Sequence, residues 1–416
     1  MSVMPMKVPG GTRRSKSFTA RGLHSDSRLL HLGRIRWWTP AWLAMFAAFA
    51  LSVLGINAIA TTEPGFSSRQ LMYLPIAVVA GVMVALPDYR HARRFVPVLA
   101  LVSLGLLIFV LIPFVPSSIV RPYNGARRWI NLGLMDFQPS ELAKVVWILA
   151  MALWLQGGLK KSLRSFWGFV LPFAVTIIPM GLIIVEPDLG TALLFIPTLM
   201  AMLLTAGARF RHLLGLVCIG LVCIYLVIQG PIYDQLKPHQ QDRIKALIAQ
   251  LEDKDTYQDG IGFQGDRAKT ISGAGGVHGL GPETTATLVR FNSLPEDHND
   301  MIFAVILCRW GAYGAVATWS LYLLLGFGGF IAAAMARDMF GRLLAVGVVV
   351  MLFSQMLINT GMTIGVLPIT GMTLPFISSG GSSLVMTWIM VGLILNVGLR
   401  RPRRMERWEG SMGSNS

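Results

Sequence analysis

The chain has 416 residues, of which 54% are hydrophobic and 14% are charged, and its formal net charge is +15. A soluble protein carries roughly a quarter of its residues as charged side chains, so this composition excludes an ordinary soluble domain. The basic residues flank the apolar runs near both termini, which is typical of membrane proteins and argues against a nucleic-acid partner.

The apolar runs follow one another in chain order, and each is near the ~20 residues that a helix needs to cross the hydrocarbon core. They lie at 39–60, 71–87, 95–115, 141–157, 166–185, 189–207, 211–229, 303–336, 342–365 and 382–399. We therefore predict an all-α integral membrane protein with about ten transmembrane helices. The eighth run is too long for one straight crossing, so Met301 to Cys308 is predicted to form a separate membrane-embedded piece before the span proper.

The Lys and Arg residues between the runs predict the orientation of the chain. With a cytoplasmic N-terminus, the basic loops face the cytoplasm, and the loops after spans one, five and nine nearly lack Lys and Arg. The loop after span three, with Arg121, Arg127 and Arg128, is the exception. Both termini are therefore predicted to be cytoplasmic, and the N-terminal tail is predicted to be disordered. The predicted parts are a basic tail at 1–36, a membrane domain at 37–400 and a second basic tail at 401–416.

Residues 230–300 form a large extracytoplasmic loop between spans seven and eight in this topology. Connections usually have ~4–6 residues, and a loop of this size tends to be functional or disordered. The sequence favours order, because the loop contains an apparent helix at Asp242 to Leu251 and a Gly-rich turn at Gly273 to Gly281. Apolar residues in its last part support this prediction; they are Leu288, Phe291 and Leu294.

The fourth span opens with the polar residues of 138–144, Gln-Pro-Ser-Glu-Leu-Ala-Lys. Ionisable groups within spans are costly and are functional candidates. Ser140 is predicted to cap the helix, and Glu141 and Lys144 lie three residues apart on one helical face. Two interpretations stay open here: an ion pair that locks the helix end, and a polar face that lines a substrate cavity.

A second polar cluster, at residues 186–191, lies outside the membrane between spans five and six. Asp188 precedes a helix predicted to start near Gly190, and this position favours a role as N-cap.

The third polar cluster precedes Met301 and contains Glu296, Asp297, His298 and Asp300. A carboxylate at a membrane edge is partly desolvated, which raises its pKa and makes it a better general base. The alternative is a solvated turn in which Asn299 or Asp300 caps the next helix.

The fourth segment, residues 367–383, lies outside between spans nine and ten and is rich in Gly, Pro and apolar residues. Irregular backbone at membrane depth survives only where protein buries it or a cavity accepts it, so we predict a re-entrant segment that lines a site. The sequence contains no P-loop and no His/Cys cluster with zinc spacing, and Cys218, Cys223 and Cys308 indicate neither a disulfide nor a metal site.

Together these segments resemble the FtsW/RodA/SpoVE family, the SEDS peptidoglycan glycosyltransferases, in order and spacing. The matching segments are 125–130 (Gly-Ala-Arg-Arg-Trp-Ile), 138–144, 186–191, 273–281, 294–305, 359–361, 365–368 and 374–382. The resemblance implies polymerisation of lipid II, the undecaprenyl-pyrophosphate-linked disaccharide, with undecaprenyl pyrophosphate as the leaving group. Asp300 closes the family's Pro-Glu-x-His-x-Asp motif and is the implied general base.

The resemblance also implies substrate-binding residues, a partner and a location. Arg127, Arg243 and Lys269 are candidates to neutralise the pyrophosphate, and Glu141 and Lys144 match the family's polar pair. The other substrate-binding candidates are Asp188, Glu296, His298, Ser379, Gly380, Gly381 and Ser382. The implied partner is a class B penicillin-binding transpeptidase in the bacterial inner membrane; no cofactor is evident, and dependence on a divalent cation is not readable from the residues.

Some positions depart from the family's pattern, namely Arg290, Asn299 and the pair Cys308-Arg309. Two other functions remain open for the same chain. One is a lipid II flippase, which would use the same cavity and lipid, and the other is a non-catalytic scaffold. The resemblance does not separate a role in cell division from one in elongation. Lys269 slightly favours the RodA-like role in elongation.

Overall fold

The computed structural model describes residues 36–123, 126–133, 135–157, 166–229 and 261–400. The first half contains α1 (Trp42–Thr62), α2 (Pro64–Ala85), α3 (Tyr89–Ala92), α4 (Val96–Leu111), β1 (Val120–Tyr123), β2 (Ala126–Asn131), β3 (Asp136–Phe137), α5 (Pro139–Leu155), α6 (Phe166–Val185), α7 (Leu189–Ala206) and α8 (Phe210–Gln229). The second half contains α9 (Ile261–Ala274), α10 (Gly281–Phe291), α11 (Ile302–Ala334), α12 (Met339–Thr363) and α13 (Gly381–Leu399). The chain is therefore mostly helical, as predicted.

Each predicted span coincides with a helix, but the predicted number of crossings is confirmed only in part. Within the described residues, six helices are long and apolar enough to cross a membrane; they are α1, α2, α7, α11, α12 and α13. α4 (Val96–Leu111) and the part of α6 at Val170–Val185 are apolar but shorter than that. The protein is a helical chain with several membrane-spanning segments. The predicted helix at Asp242 to Leu251 lies outside the described residues.

The helices pack through small residues at close crossings. α13 lies along α2, α1 lies along α11, and α12 contacts α5, α7 and α11. A Cβ on Gly392 of α13 would collide with the carbonyl oxygen of Gly81 in α2, so both positions need glycine for the backbones to touch. Close approach of this kind drives helix association in lipid, where burial of apolar side chains gives little advantage.

A small antiparallel sheet of order β1-β2-β3 follows α4. Val120 and Ile130 pack with Val110 of α4 in a small buried cluster beneath it. Successive side chains of a strand point to opposite faces, so the neighbours Arg127 and Arg128 on β2 face different surroundings. This alternation decides which arginine reaches the site described below.

α11 is broken at Gly311, whose φ of 62° and ψ of −151° are not helical. In an unbroken helix the N–H of Ala312 would donate to the carbonyl of Cys308. Here the Cys308 carbonyl accepts from the N–H of Leu280 at 2.9 Å, and the Ala312 N–H donates to Gly276 at 3.0 Å. The predicted division of this run into two pieces is thus confirmed, with the boundary at Gly311 instead of Cys308. That the first piece is embedded in the membrane stays a prediction.

The Gly-rich turn owes its composition to this contact. A Cβ on Gly275 would collide with the carbonyl oxygen of Leu307, and one on Gly279 would collide with that of Arg309. The glycines therefore let the turn between α9 and α10 dock on the broken part of α11.

Gly275→Ala is expected to lower the free energy of unfolding by about 1–3 kcal/mol, because an added methyl group overpacks a tight contact. Gly273→Ala is the matched control, since nothing lies within 4 Å of a Cβ at Gly273. Thermal unfolding of both variants in detergent measures the difference. Equal midpoints for the two variants would contradict the proposed role of the turn.

Candidate active site

The loop between α10 and α11 is held by hydrogen bonds to its backbone. The carbonyl of His298 accepts from the N–H of Ser379 at 3.0 Å, and the carbonyl of Asn299 accepts from the hydroxyl of Ser378 at 2.7 Å. The Ser378 hydroxyl in turn accepts from the N–H of Leu374 at 2.7 Å. The irregular segment before α13 thus fixes the loop before α11.

Asp300 is held in the same way from α12. The side-chain amide of Asn359 donates to the carbonyl of Asp300 at 2.9 Å and also to the carbonyl of Met372. Three successive carbonyls, at positions 298 to 300, are therefore bound to α12 or to the segment that follows it. Such support keeps a side chain in one geometry, which a catalytic group needs.

The loop makes a tight turn at Glu296, a non-glycine residue with φ of 53°. Its carbonyl accepts from the N–H groups of Asn299 at 3.0 Å and Met301 at 3.1 Å. The N-cap of α11 is Met301, without a side-chain cap, so the alternative of a cap at Asn299 or Asp300 is wrong. Backbone in this sparsely populated region persists where surrounding structure enforces it, often at functional sites.

A cavity of about 270 Å³, here called the Asp300 cavity, opens beside this loop. Its walls are formed by Ala126, Arg128, Trp129, Gln138, Glu141, Pro187, Asp188, Thr191, Glu296, Asn299, Asp300, Gln355 and residues 369–373. A Cβ on Gly371, whose φ is 71°, would lie 3.3 Å from an Asp300 carboxylate oxygen. Glycine at this position leaves the carboxylate accessible from the cavity.

The surroundings of Asp300 favour its protonated form. Burial is the largest cause, and the negative charges of Glu296 and Asp188 act in the same direction; together they raise the pKa of Asp300 to about 7. A carboxyl group with a pKa near the working pH is suited to exchange protons with a bound substrate.

Glu141 lines the Asp300 cavity, and its ion-pair partner Lys144 is buried behind the cavity wall. The ammonium group of Lys144 donates to Glu141 at 2.8 Å and to the side-chain oxygen of Gln355 at 3.1 Å. Lys144 is completely buried, whereas Glu141 and Gln355 border the cavity. The ion pair at the start of α5 is thus present, and Glu141 also faces a cavity. That a substrate binds there stays a prediction.

Asp188 also serves two purposes. It is the N-cap of α7, since its carboxylate accepts from the N–H of Thr191 at 3.1 Å, as predicted. The same carboxylate accepts from Gln138 at 3.2 Å and Ser140 at 3.4 Å, and Asp188 lines the cavity. The prediction that Ser140 caps its own helix is wrong; α5 has Gln138 as N-cap without a side-chain bond, and Ser140 joins α5 to α7 instead.

The two arginines of β2 separate as the strand geometry requires. Arg127 turns away from the cavity and donates to the backbone carbonyls of Pro113, at 2.7 Å, and Val115. Arg128 lines the cavity and donates to the carbonyls of Glu186, at 2.6 Å, and Pro187. Arg128, and not the predicted Arg127, is therefore the arginine that lines this cavity.

A second cavity of about 410 Å³, here called the His298 cavity, lies on the other side of the loop. Its walls are formed by Phe66, Arg69, Gln70, Tyr73, Arg121, Pro122, Trp129, Met135, Asp136, Glu296, His298, Asn299, Ser379, Gly380 and Gly381. The ring of His298 stacks on that of Phe66 at 4.1 Å, and one of its nitrogens lies 3.0 Å from a carboxylate oxygen of Asp297.

Gln70 of α2 fixes the segment that forms one wall of the His298 cavity. Its side-chain nitrogen donates to the carbonyl of Ser378 at 3.0 Å, and its oxygen accepts from the N–H of Gly380 at 3.1 Å. The prediction that residues 367–383 line a site is thus supported, and Ser379, Gly380 and Gly381 are among the lining residues.

Besides Arg127 and Lys144, two of the described site candidates line neither cavity, namely Ser382 and Lys269. Ser382 is buried in the first turn of α13, beyond the lining residues. The side chain of Lys269 lies against Gly365 at the end of α12. Arg243 lies outside the described residues. The pyrophosphate role predicted for Lys269 therefore has no geometric support.

The sequence prediction missed several residues that line the cavities, among them Phe66, Arg69, Gln70 and Gln355. The second apolar run was read as starting at residue 71, whereas α2 begins at Pro64. An arginine and a glutamine within a membrane helix would have been functional candidates had the helix start been placed correctly. In the described part of the chain, no group of three or more His, Cys, Asp or Glu residues could hold a metal ion.

Comparison with known proteins decides the family. The FtsW/RodA/SpoVE family model, described as a cell cycle protein, matches residues 35–402. The chain belongs to this family. Two relatives of this family member are each 35% identical to it over 336 residues: stage V sporulation protein E of Bacillus subtilis, and the probable peptidoglycan glycosyltransferase FtsW of Geobacter metallireducens. These alignments cover 80% of this chain and 86% and 85% of the relatives.

Solved structures agree with the FtsW/RodA/SpoVE assignment. A chain from a study of how a peptidoglycan synthase complex coordinates polymerization and crosslinking matches with a TM-score of 0.72 and 30% identity, covering 87% of this chain and 98% of that one. The rod shape determining protein RodA of Thermus thermophilus matches with a TM-score of 0.61 and 28% identity, covering 86% and 96%.

Proposed function

We propose that this FtsW/RodA/SpoVE protein is a peptidoglycan glycosyltransferase that polymerises lipid II during cell division or elongation, with Asp300 as the general base. The observation that carries the proposal is the state of Asp300. Its carboxylate faces a cavity, its backbone carbonyl is held from α12, and its pKa is raised to about 7 by burial and by neighbouring carboxylates.

In the proposed reaction, ionised Asp300 takes the proton from a sugar hydroxyl of the acceptor. The electron pair left on the hydroxyl oxygen attacks the anomeric carbon of the donor, and the bond from that carbon to the diphosphate oxygen breaks. Undecaprenyl pyrophosphate leaves with the bonding electrons, and the proton stays on Asp300 until solvent removes it. Glu141, held by Lys144, and Arg128 stand in the same cavity to orient the acceptor.

The relatives support the reaction class and the partner. Curated relatives are named probable peptidoglycan glycosyltransferases, and a similar structure belongs to a peptidoglycan synthase complex. For this chain we propose a class B penicillin-binding transpeptidase as partner, in the bacterial inner membrane with both termini cytoplasmic. Both cavities then face the outside, where a lipid-linked donor supplies the energy that a nucleotide sugar supplies in the cytoplasm.

The rate of polymerisation is expected to rise with pH, to be half-maximal at about pH 7 and to level off above it, because only ionised Asp300 accepts a proton. Glu296→Gln removes a charge that raises the pKa of Asp300, so the rising limb of the profile should move to lower pH. Glu283→Gln serves as the control, since Glu283 is exposed on α10 and is not among the groups that shift the pKa of Asp300 or of His298. If the rate of the Glu296→Gln variant rises over the same pH range as that of the unaltered protein, the role of Asp300 is contradicted.

The function is tested with purified full-length protein and lipid II, alone and with its transpeptidase. Glycan strands on a gel, with undecaprenyl pyrophosphate released in step, are the expected products. The assay is run with and without EDTA, because a divalent cation bound to the diphosphate would neutralise its charge. Absence of strands under all these conditions would reject the proposed function.

A further inference from the structure

The two cavities differ in the sign of their charged side chains. The His298 cavity carries Arg69, Arg121 and His298 against the carboxylates of Asp136 and Glu296. Burial alone would lower the pKa of His298, but its hydrogen bond with Asp297 and the nearby carboxylates raise it. The imidazole is therefore protonated to a larger extent than a free histidine, and the cavity favours an anion.

The Asp300 cavity has the opposite balance. Among the described residues that line it, Arg128 is the single cation, whereas Glu141, Asp188, Glu296 and Asp300 are acidic. A diphosphate carries several negative charges, so four carboxyl groups around it would be unfavourable. Carboxylates and amides are instead good acceptors for sugar hydroxyl groups.

The two cavities meet at a common wall formed by Trp129, Glu296 and Asn299, which line both. His298 and Asp300 are two residues apart in one loop, and they line different cavities. Groups bound on the two sides of this wall would lie close together, as a sugar acceptor and an activated donor must.

We propose that the His298 cavity binds the diphosphate of the lipid-linked donor, while the Asp300 cavity binds the sugar that supplies the attacking hydroxyl. This assignment rests on the proposed function and deepens it. It transfers the pyrophosphate role from Arg127 and Lys269, which face neither cavity, to Arg69 and Arg121.

The arginines of the His298 cavity are available for a ligand. Arg69 is exposed and lies over the ring of Phe66 at 5.8 Å. Arg121 pairs with Asp136 at 3.5 Å, and both side chains are largely exposed, so the pair is easily exchanged for a stronger anion. The first turn of α13, starting at Gly381, adds backbone N–H groups without helical acceptors and the positive end of the helix dipole.

The test is binding of undecaprenyl pyrophosphate to the purified protein in nanodiscs, with undecaprenol as the uncharged reference. Arg69→Gln and Arg121→Gln are each expected to raise the Kd for undecaprenyl pyrophosphate about tenfold, the effect of losing a charge-assisted hydrogen bond. The Kd for undecaprenol should not change. Arg290→Gln is the matched control, because it removes an exposed arginine outside both cavities.

Asp136→Asn is expected to increase affinity, a result that a misfolded protein would not give. It removes a carboxylate that competes for Arg121, so undecaprenyl pyrophosphate should bind more tightly. Unchanged affinity in the Arg69 and Arg121 variants, or a loss confined to Arg128→Gln, would overturn the assignment.

Failure of the two proposals can be told apart. Under the assignment, Asp300→Asn still binds undecaprenyl pyrophosphate, because the base lies in the other cavity. A protein that binds the diphosphate through Arg69 and Arg121 but forms no glycan would refute the polymerase function and leave the anion site standing. Normal polymerisation, with undecaprenyl pyrophosphate binding unaffected by these arginines, would refute the anion site and leave the polymerase function standing.

Discussion

Asp300→Asn is expected to lower the rate of lipid II polymerisation by roughly 10²–10⁴-fold, the range that a general base contributes. Asparagine keeps the shape of the side chain and cannot take the proton. The backbone bond from Asn359 to the carbonyl of residue 300 is retained, so the geometry of the loop should persist. Initial rates with purified protein and labelled lipid II measure the effect.

The thermal unfolding midpoint of Asp300→Asn distinguishes a loss of catalysis from a loss of folding. The folded chain raises the pKa of Asp300 from 3.8 to about 7, so the folded state disfavours the ionised form. As pH rises through this interval, the unfolded chain ionises first and Asp300 reduces stability. Asp300→Asn should therefore leave the thermal midpoint unchanged or raise it at pH 8. Asp266→Asn, which removes an exposed carboxylate from α9, is the control and should keep full activity.

Lys144→Met is expected to lower the free energy of unfolding by about 3–5 kcal/mol, because removing one partner of a buried ion pair leaves the other charge uncompensated. Glu141 is 3% exposed and receives the Lys144 ammonium at 2.8 Å. Gln355 would also lose a donor to its side-chain oxygen. Thermal and chemical unfolding in detergent measure the change.

The double variant Glu141→Gln with Lys144→Met should regain much of that stability, because no isolated charge remains buried. Polymerisation by the double variant should be low, since the carboxylate in the cavity wall is gone. Equal stability of the single and double variants would show that packing, and not charge, accounts for the effect of Lys144→Met.

The sequence predicted those parts of the fold that depend on composition and local spacing. Apolar runs located the helices, and the spacing of Glu141 and Lys144 placed both on one face of α5. The Asp188 cap followed from its position before α7. The start of α2 was missed, because Arg69 and Gln70 are polar and fall outside the apolar run at 71–87, although Gln70 is buried against the segment before α13.

The site was predictable in part. The crowding of acidic residues before Met301 indicated a candidate site, but only the resemblance to the family singled out Asp300. The Gly- and Pro-rich segment after α12 indicated a wall. The choice between Arg127 and Arg128 depends on which face of β2 points to the cavity, and this requires the strand register. The docking of Gly275 and Gly279 on the break in α11 depends on backbone groups far apart in sequence, for which no local pattern exists.

The central claim is that Asp300 catalyses polymerisation, and it is tested most directly with the full-length protein in liposomes that contain fluorescent lipid II. Polymer formation and movement of lipid II across the bilayer are followed in the same sample, for the unaltered protein and for Asp300→Asn. Polymer is expected from the unaltered protein and almost none from Asp300→Asn, with undecaprenyl pyrophosphate still bound by both. Translocation of lipid II without polymer, unaffected by Asp300→Asn, would contradict the central claim and identify a transporter.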